Sequence, residues 1–139
     1  MRDLTGILGL GISGLAAFEL LRKQNKNMVV YDDKIKPNLK FKKYWKNYLN
    51  WDWNNLSRII ISPGIKINGE NRHPIVKLAE SHKVELQNEI ELYFEQKPKS
   101  IIIGITGTNG KSTLASLISH ILSENKLKNI ICGNFGNPA

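Results

Sequence analysis

The sequence predicts an α/β chain built on a Rossmann-like parallel sheet, and three observations carry that expectation. Short β-branched runs alternate with segments of helical periodicity, glycine-rich turns stand at two strand-to-helix junctions, and the pattern recurs at the roughly thirty-residue length of a βαβ unit.

Taken in order, GILGLGISGLAAFELLRKQNKNMVVYDD reads as strand, glycine turn, helix and strand. Leu15, Phe18 and Leu21 recur at helical spacing, and MVVY is a β-branched run bounded by polar residues. Such a unit implies parallel strands joined by a right-handed crossover. A Lys-rich stretch follows, KIKPNLKFKKYWKNYLNWDWNN, with Phe41, Tyr44, Trp45, Tyr48, Trp51 and Trp53 interleaved. That mixture could stack on and neutralise single-stranded nucleic acid. The preferred reading is core filling, with the aromatics inside and the lysines in water. SRIIISPGI is a buried strand ending in a Pro-Gly turn, HPIVKLAESHK a helix and VELQ a further strand.

The polar, proline-containing FEQKPKS, residues 94–100, is the expected linker. Beyond it the pattern restarts, with SIIIGIT as a strand, GTNGKS as a loop, TLASLISHILSENK as a helix and NIICGN as a strand. Leu114, Leu117, Ile118, Ile121 and Leu122 form a one-face stripe on that helix. The expected organisation is therefore a Rossmann-like domain over residues 1–97 and the incomplete opening of a second, ATP-binding domain over 98–139. One strand-loop-helix-strand piece cannot cover both faces of a parallel sheet.

Hydrophobic residues make up 41% of the 139 and charged residues 23%, an ordinary globular composition. No apolar run approaches the ~20 residues of a membrane-spanning helix, and the glycine-broken N-terminus is unlike a signal peptide, so a cytoplasmic location is expected. The single cysteine, Cys132, excludes an intrachain disulfide and a multi-cysteine zinc site, and is expected as a small buried strand residue. His73, His82 and His120 lack metal-ligand spacing and are expected at surface or helix positions. Glu89 and Glu91 would share a face on a strand but not on a helix, and are expected to be solvated charges near the linker rather than a catalytic pair. The net charge of +8 admits an anionic partner, although solvated lysines account for most of it.

Two motifs carry chemistry. In GITGTNGKST, residues 104–113, glycines let backbone N–H groups turn around phosphate oxygens and the following helix adds its positive end. Lys111 supplies a charge for the β and γ phosphates, Ser112 a hydroxyl for Mg²⁺, and Thr113 assists. The bland alternative is a glycine turn that binds nothing. The first glycine, Gly104, stands one residue early for the strict G-x-x-x-x-G-K-[ST] form. Upstream, Gly9, Gly11 and Gly14 fit G-x-G-x-x-G between a strand and a helix, and Asp32 and Asp33 follow at the end of the next strand. Taken alone, that pattern reads as NAD binding or as a tight turn.

Both loops together, with SPGI at 62–65, EIELYF at 89–94 and GNFGNPA at the end, resemble the Mur ligases of bacterial cell-wall synthesis. Their ATP loop reads T-G-T-N-G-K-[ST], which Thr106, Gly107, Thr108, Asn109, Gly110, Lys111 and Ser112 match one by one. The resemblance implies an ATP- and Mg²⁺-dependent ligase that phosphorylates the carboxylate of UDP-N-acetylmuramoyl-L-alanine and lets the amine of D-glutamate displace phosphate. It implies that Ile12 and Ser13 meet the diphosphate, Asp32 and Asp33 the uridine, Gly64 the ligand through its backbone, and Asn134 the muramoyl part, with Lys34 a charged contact in the same UDP-sugar site. Lys34 stands where arginine is common, which keeps the charge but not the bidentate geometry. Lys111 would be the catalytic residue and Ser112 the Mg²⁺ ligand. The partners implied are these small molecules, with no nucleic acid and no membrane insertion, for a monomer. The alternatives are a nucleotide-binding remnant without turnover and an NAD-dependent oxidoreductase domain.

The resemblance also implies that the 139 residues alone lack the later Mg²⁺ ligands and the amino-acid-binding domain, and so are inactive as a ligase. Phosphate release should stay at background with UDP-N-acetylmuramoyl-L-alanine, D-glutamate and ATP all present. Turnover dependent on both substrates would refute this.

Overall fold

A computed structural model of the chain describes residues 2–133. Four strands form one parallel sheet in the order β2-β1-β3-β4, with β1 at Leu4–Leu8, β2 at Met28–Tyr31, β3 at Leu56–Ile61 and β4 at Glu85–Gln87. Helix α1, Ile12–Lys23, joins β1 to β2, and helix α2, Ile75–His82, joins β3 to β4. Helix α3, Glu89–Glu95, follows β4.

The central strands β1 and β3 bury apolar side chains on both faces, because helices and aromatics cover both, whereas the edge strand β4 is polar and partly exposed. Ile7, Val30 and Ile60 join Ala17, Phe18 and Leu21 of α1 and Leu92 of α3 in one core. Leu8, Ile59 and Ile61 join Ile75, Val76 and Ala79 of α2 with Trp51 and Trp53 in the other. This two-sided burial is why β3 reads as a continuous LSRIII run instead of an alternating one.

The aromatic stretch is absorbed by these cores. Phe41, Trp51 and Trp53 are buried, and Phe18 makes edge contacts with Phe41 and Tyr44 at centroid distances of 5.0 and 5.3 Å. The stretch does one thing periodicity did not signal: Trp45 bridges Val30 in parallel, with Val30 N–H donating to Tyr44 O at 2.9 Å and Lys46 N–H to Val30 O at 3.1 Å. It thereby covers the free edge of β2.

Four expectations are corrected. Residues 101–105 and 129–132 form no strand, since among the described residues no neighbour pairs with them, and Ile101 is 94% exposed. The helix of this region does form, as α4 at Lys111–Glu124, yet Leu114, Leu117 and Ile121 of its stripe are exposed and it has no buried residue. Cys132 is exposed and lies outside any strand. Phe94 and Glu95, assigned to the linker, belong to α3, whose N-terminus carries an Asn88/Glu91 capping box.

Gly6 in β1 faces the ring of Trp51, where a β-carbon would overlap the indole. The ring cannot swing away freely, because Trp51 Nε1–H donates to Lys46 O at 2.8 Å. Gly6→Val should therefore cost about 2–3 kcal/mol by overpacking. Urea unfolding followed by tryptophan emission should show the lower midpoint.

Candidate functional site

The sheet order sets the place of the site. The chain leaves β1 toward β2, then crosses back to β3 on the other side of β1, so a crevice opens between the β1 and β3 carboxyl ends. The loops after β1, β2 and β3 converge there around an open depression of about 750 Å³, within the size range of small-molecule sites. Ile12, Ser13, Asp32, Asp33, Lys34 and Gly64 all line it. Asn134, the seventh residue assigned to this ligand, lies outside the described residues.

The three glycines divide the work of the first loop. Gly9 has φ +86°, and its carbonyl accepts from Ser62 Oγ at 2.9 Å, which ties the β1 loop to the β3 loop. A β-carbon on Gly14 would overlap the Gly9 carbonyl, so α1 packs against the turn only with glycine there. Gly11 caps α1 with extended backbone, and a β-carbon on it would meet nothing within 4 Å. Gly11 therefore borders open space.

Asp32 is the hub of the depression. Its Oδ2 accepts from Leu10 N–H at 2.6 Å, and its Oδ1 from Lys34 N–H and Ile35 N–H, both at 2.7 Å. Desolvation opposes its ionisation, but the three backbone donors prevail and hold its pKa below the ordinary carboxylate value. Both oxygens are thus committed to the fold. Asp33 is more exposed and contacts His73 Nε2 through one oxygen at 3.1 Å. Of the two acidic residues, Asp33 is the one with acceptor capacity left for a ligand.

Ser13 Oγ donates to Glu89 Oε1 at 2.8 Å, joining the first turn of α1 to that of α3. Glu89 and Glu91 therefore diverge on a helix: one holds Ser13, the other accepts from Asn88 N–H at 2.7 Å. Glu89 is half-buried and engaged, contrary to expectation, whereas Glu91 is exposed to solvent at the cap of α3, as expected. With its hydroxyl proton engaged, Ser13 can offer an anion its backbone N–H. The first intrahelical bond of α1 is Leu15 N–H to Gly11 O at 2.9 Å, which leaves the N–H groups before it without an i−4 helical partner. Ser62, Lys66, Arg72 and His73 also line the depression and were not singled out as ligand residues from the sequence. Ser62 lay inside the quoted SPGI turn, and a histidine before Pro74 at a helix start was the available signal for His73. His73 is also not a surface residue, with 12% of its side chain exposed.

In the second loop, Gly110 has φ +76° and caps α4, so Lys111, Ser112 and Thr113 form its first turn. The Lys111 ammonium folds back over the loop to the carbonyls of Gly107 and Thr108, the latter at 3.3 Å. This places a cation above a glycine-rich turn at a helix N-terminus, an arrangement whose chemistry suits a polyphosphate. Ser112 is exposed, and no cluster of three His, Cys, Asp or Glu able to hold a metal occurs among the described residues. One hydroxyl suits Mg²⁺ only as it arrives on a nucleotide, with phosphates supplying further oxygens.

Fold and first loop together define a Rossmann-like α/β domain. No protein-family model matches the chain. It is 38% identical over 138 residues to the UDP-N-acetylmuramoylalanine–D-glutamate ligase of Rickettsia bellii (strain RML369-C), covering 96% of this chain and 30% of the relative. The ligase of the same name from Rickettsia prowazekii (strain Madrid E) is 38% identical with the same coverage. That from the Wolbachia of Brugia malayi (strain TRS) is 39% identical, covering 95% of this chain and 28% of the relative. The chain belongs to the Mur ligase family and spans about 30% of the length of these D-glutamate ligases. No helix among the described residues is long and apolar enough to cross a membrane.

Asp32→Ala should lower stability by about 2 kcal/mol, since three backbone donors lose a charged acceptor. The sign of the pH effect follows from the depressed pKa. The contribution of Asp32 is present above its unfolded value, near 3.8, and is lost as pH falls below that through the lower folded value. Wild type and Asp32→Ala should therefore differ in thermal midpoint at pH 7, and the difference should shrink as pH falls below 3.8.

Proposed function

We propose that this chain supplies the UDP-sugar-binding lobe and the ATP loop of a D-glutamate-adding muramoyl ligase. The observation that carries the reading is the convergence of six matched residues, Ile12, Ser13, Asp32, Asp33, Lys34 and Gly64, on one depression at the switch point of the sheet. The names of the relatives give the substrate class, UDP-N-acetylmuramoylalanine and D-glutamate.

In this reading the diphosphate lies at Gly11 to Ser13. Glycine there lets it approach the backbone, and the helix end favours the anion. The Lys34 side chain adds positive charge beside it. Asp33 accepts from the nucleoside, while Asp32 holds both loops in place from behind. ATP engages Thr106 to Thr113, with the Lys111 ammonium shifting from the carbonyls of Gly107 and Thr108 to the transferring phosphoryl group. The Ser112 hydroxyl would help hold a Mg²⁺ ion arriving with the nucleotide, which would supply neutralisation of phosphate charge. The chain's own contribution is positioning and charge neutralisation, which are the main demands of phosphoryl transfer to a carboxylate. The NAD-dependent alternative uses the first loop alone and leaves the second without a role.

The decisive variant is Gly11→Val. Its backbone is extended and a β-carbon meets no protein atom, so the fold should tolerate it, while the branched side chain fills the diphosphate position. Calorimetry should show binding of UDP-N-acetylmuramoyl-L-alanine to the wild type and at least tenfold weaker binding to Gly11→Val, with thermal midpoints within a few degrees. NADH that binds and is not displaced by the UDP-sugar would favour the oxidoreductase reading.

A further inference from the structure

His73 joins the loop after β2 to the start of α2, and its two ring nitrogens have different partners. Ile75 N–H donates to Nδ1 at 3.1 Å. Nδ1 is therefore the unprotonated, accepting nitrogen, and in the neutral ring the proton resides on Nε2. Nε2 lies 3.1 Å from Asp33 Oδ2, so the ring donates to that carboxylate. The ring is also packed by an aromatic neighbour, and the backbone beneath it is fixed. Tyr48 meets it edge-on at a centroid distance of 5.2 Å, and Tyr31 supports Tyr48 at 5.3 Å. Its backbone N–H donates to Lys66 O at 2.8 Å, and its carbonyl accepts from Val76 N–H at 3.0 Å.

We propose that His73 is a specificity-determining positioning residue, which fixes its tautomer through Ile75 and uses the Nε2 proton to aim Asp33 at a hydrogen-bond donor of the bound nucleoside. The inference rests on the nucleotide reading of the depression and adds the residue that sets its selectivity. A lone exposed aspartate would sample several rotamers. With Oδ2 engaged by a clamped imidazole, Oδ1 has a fixed direction, and its acceptor capacity is what a ligand N–H or O–H meets. Nucleosides offer two such donors, an imide N–H of the base and a ribose hydroxyl. Both present the same chemistry to Asp33, and they can be separated by comparing UDP with CDP and with 2′-deoxy-UDP.

Two substitutions split the functions of the ring. His73→Asn keeps an oxygen near Nδ1 for Ile75 N–H and removes the donor to Asp33. His73→Gln restores an N–H near Nε2 and gives up the acceptor for Ile75. The test is calorimetric titration of the 139-residue chain with UDP, CDP and 2′-deoxy-UDP, together with long-range ¹H–¹⁵N correlation of the His73 ring.

The spectrum should show Nε2 protonated and Nδ1 bare. The wild type should prefer UDP over one of the two analogues, and His73→Asn should shrink that preference about fivefold, as loss of one hydrogen bond predicts. His73→Gln should recover most of it even where its thermal midpoint is lower. A protonated Nδ1 in the neutral ring, His73→Asn with wild-type selectivity, or His73→Gln losing more selectivity than His73→Asn would each overturn the role of His73 and leave the site reading standing. A folded wild type that binds no UDP would overturn the site reading and this inference together.

Discussion

The carboxylate of Asp32 is the constraint around which the depression is organised. It accepts three backbone N–H groups, one from the glycine turn after β1 and two from the loop after β2. Those donors belong to chain that has left the sheet and has no strand partner, so an internal acceptor must supply what water otherwise would. By gathering them, one side chain converts two strand ends into a single rigid rim. Ser62 adds the third loop through Gly9 O, and Gly14 lets α1 close against the turn from below. The six described residues assigned to the UDP-sugar line the depression that this rim encloses.

The aromatic stretch gains its meaning from the same rim. Trp45, Tyr31, Tyr48 and His73 form a row in which neighbouring rings lie 5.6, 5.3 and 5.2 Å apart, running from the β2 edge to the depression. The row is packed on one side by the core containing Trp51, Trp53 and Leu8. Burial and desolvation push the Tyr48 phenol up, with the nearby charge of Asp33 adding to the effect, so Tyr48 stays neutral and serves as a wall. A segment whose composition suggested nucleic-acid stacking thus stacks on itself.

How far the fold was legible varied with the kind of signal. Strands β1 and β3 and helix α1 were readable because burial on two faces leaves continuous apolar runs and helical spacing in the sequence. The glycine turn was readable because Gly9 and Gly14 are sterically required. The same rules assigned strands to 101–105 and 129–132, where apolar residues are present but pairing is not, since a strand exists only through a neighbour that local sequence does not contain. The exposed stripe of Leu114, Leu117 and Ile121 makes the same point for packing. The connections made by Asp32, Glu89 and His73 span 22 to 76 residues, and no local pattern records them. The two adjacent aspartates were legible as a pair, but the division between one that builds and one that remains available follows only from which N–H groups surround each.

That division resolves an electrostatic conflict in the site. In the proposed reading a diphosphate would enter a depression lined by Asp32 and Asp33, with Glu89 behind Ser13, so three carboxylates would lie near a bound anion. Repulsion falls when each charge is matched by donors directed at it, and here each is: three backbone N–H groups at Asp32, the Ser13 hydroxyl at Glu89, the His73 ring at Asp33. The positive side chains of Lys34, Lys66 and Arg72 also line the depression, and among the described residues Arg72 is the one of these three in an ion pair, with Glu80 at 2.6 Å. On the proposed reading the acidic residues would therefore shape an anion site without opposing it, so long as their donors stay in place. Removing one such donor would act twice, by loosening the loop it holds and by exposing a negative charge to the ligand.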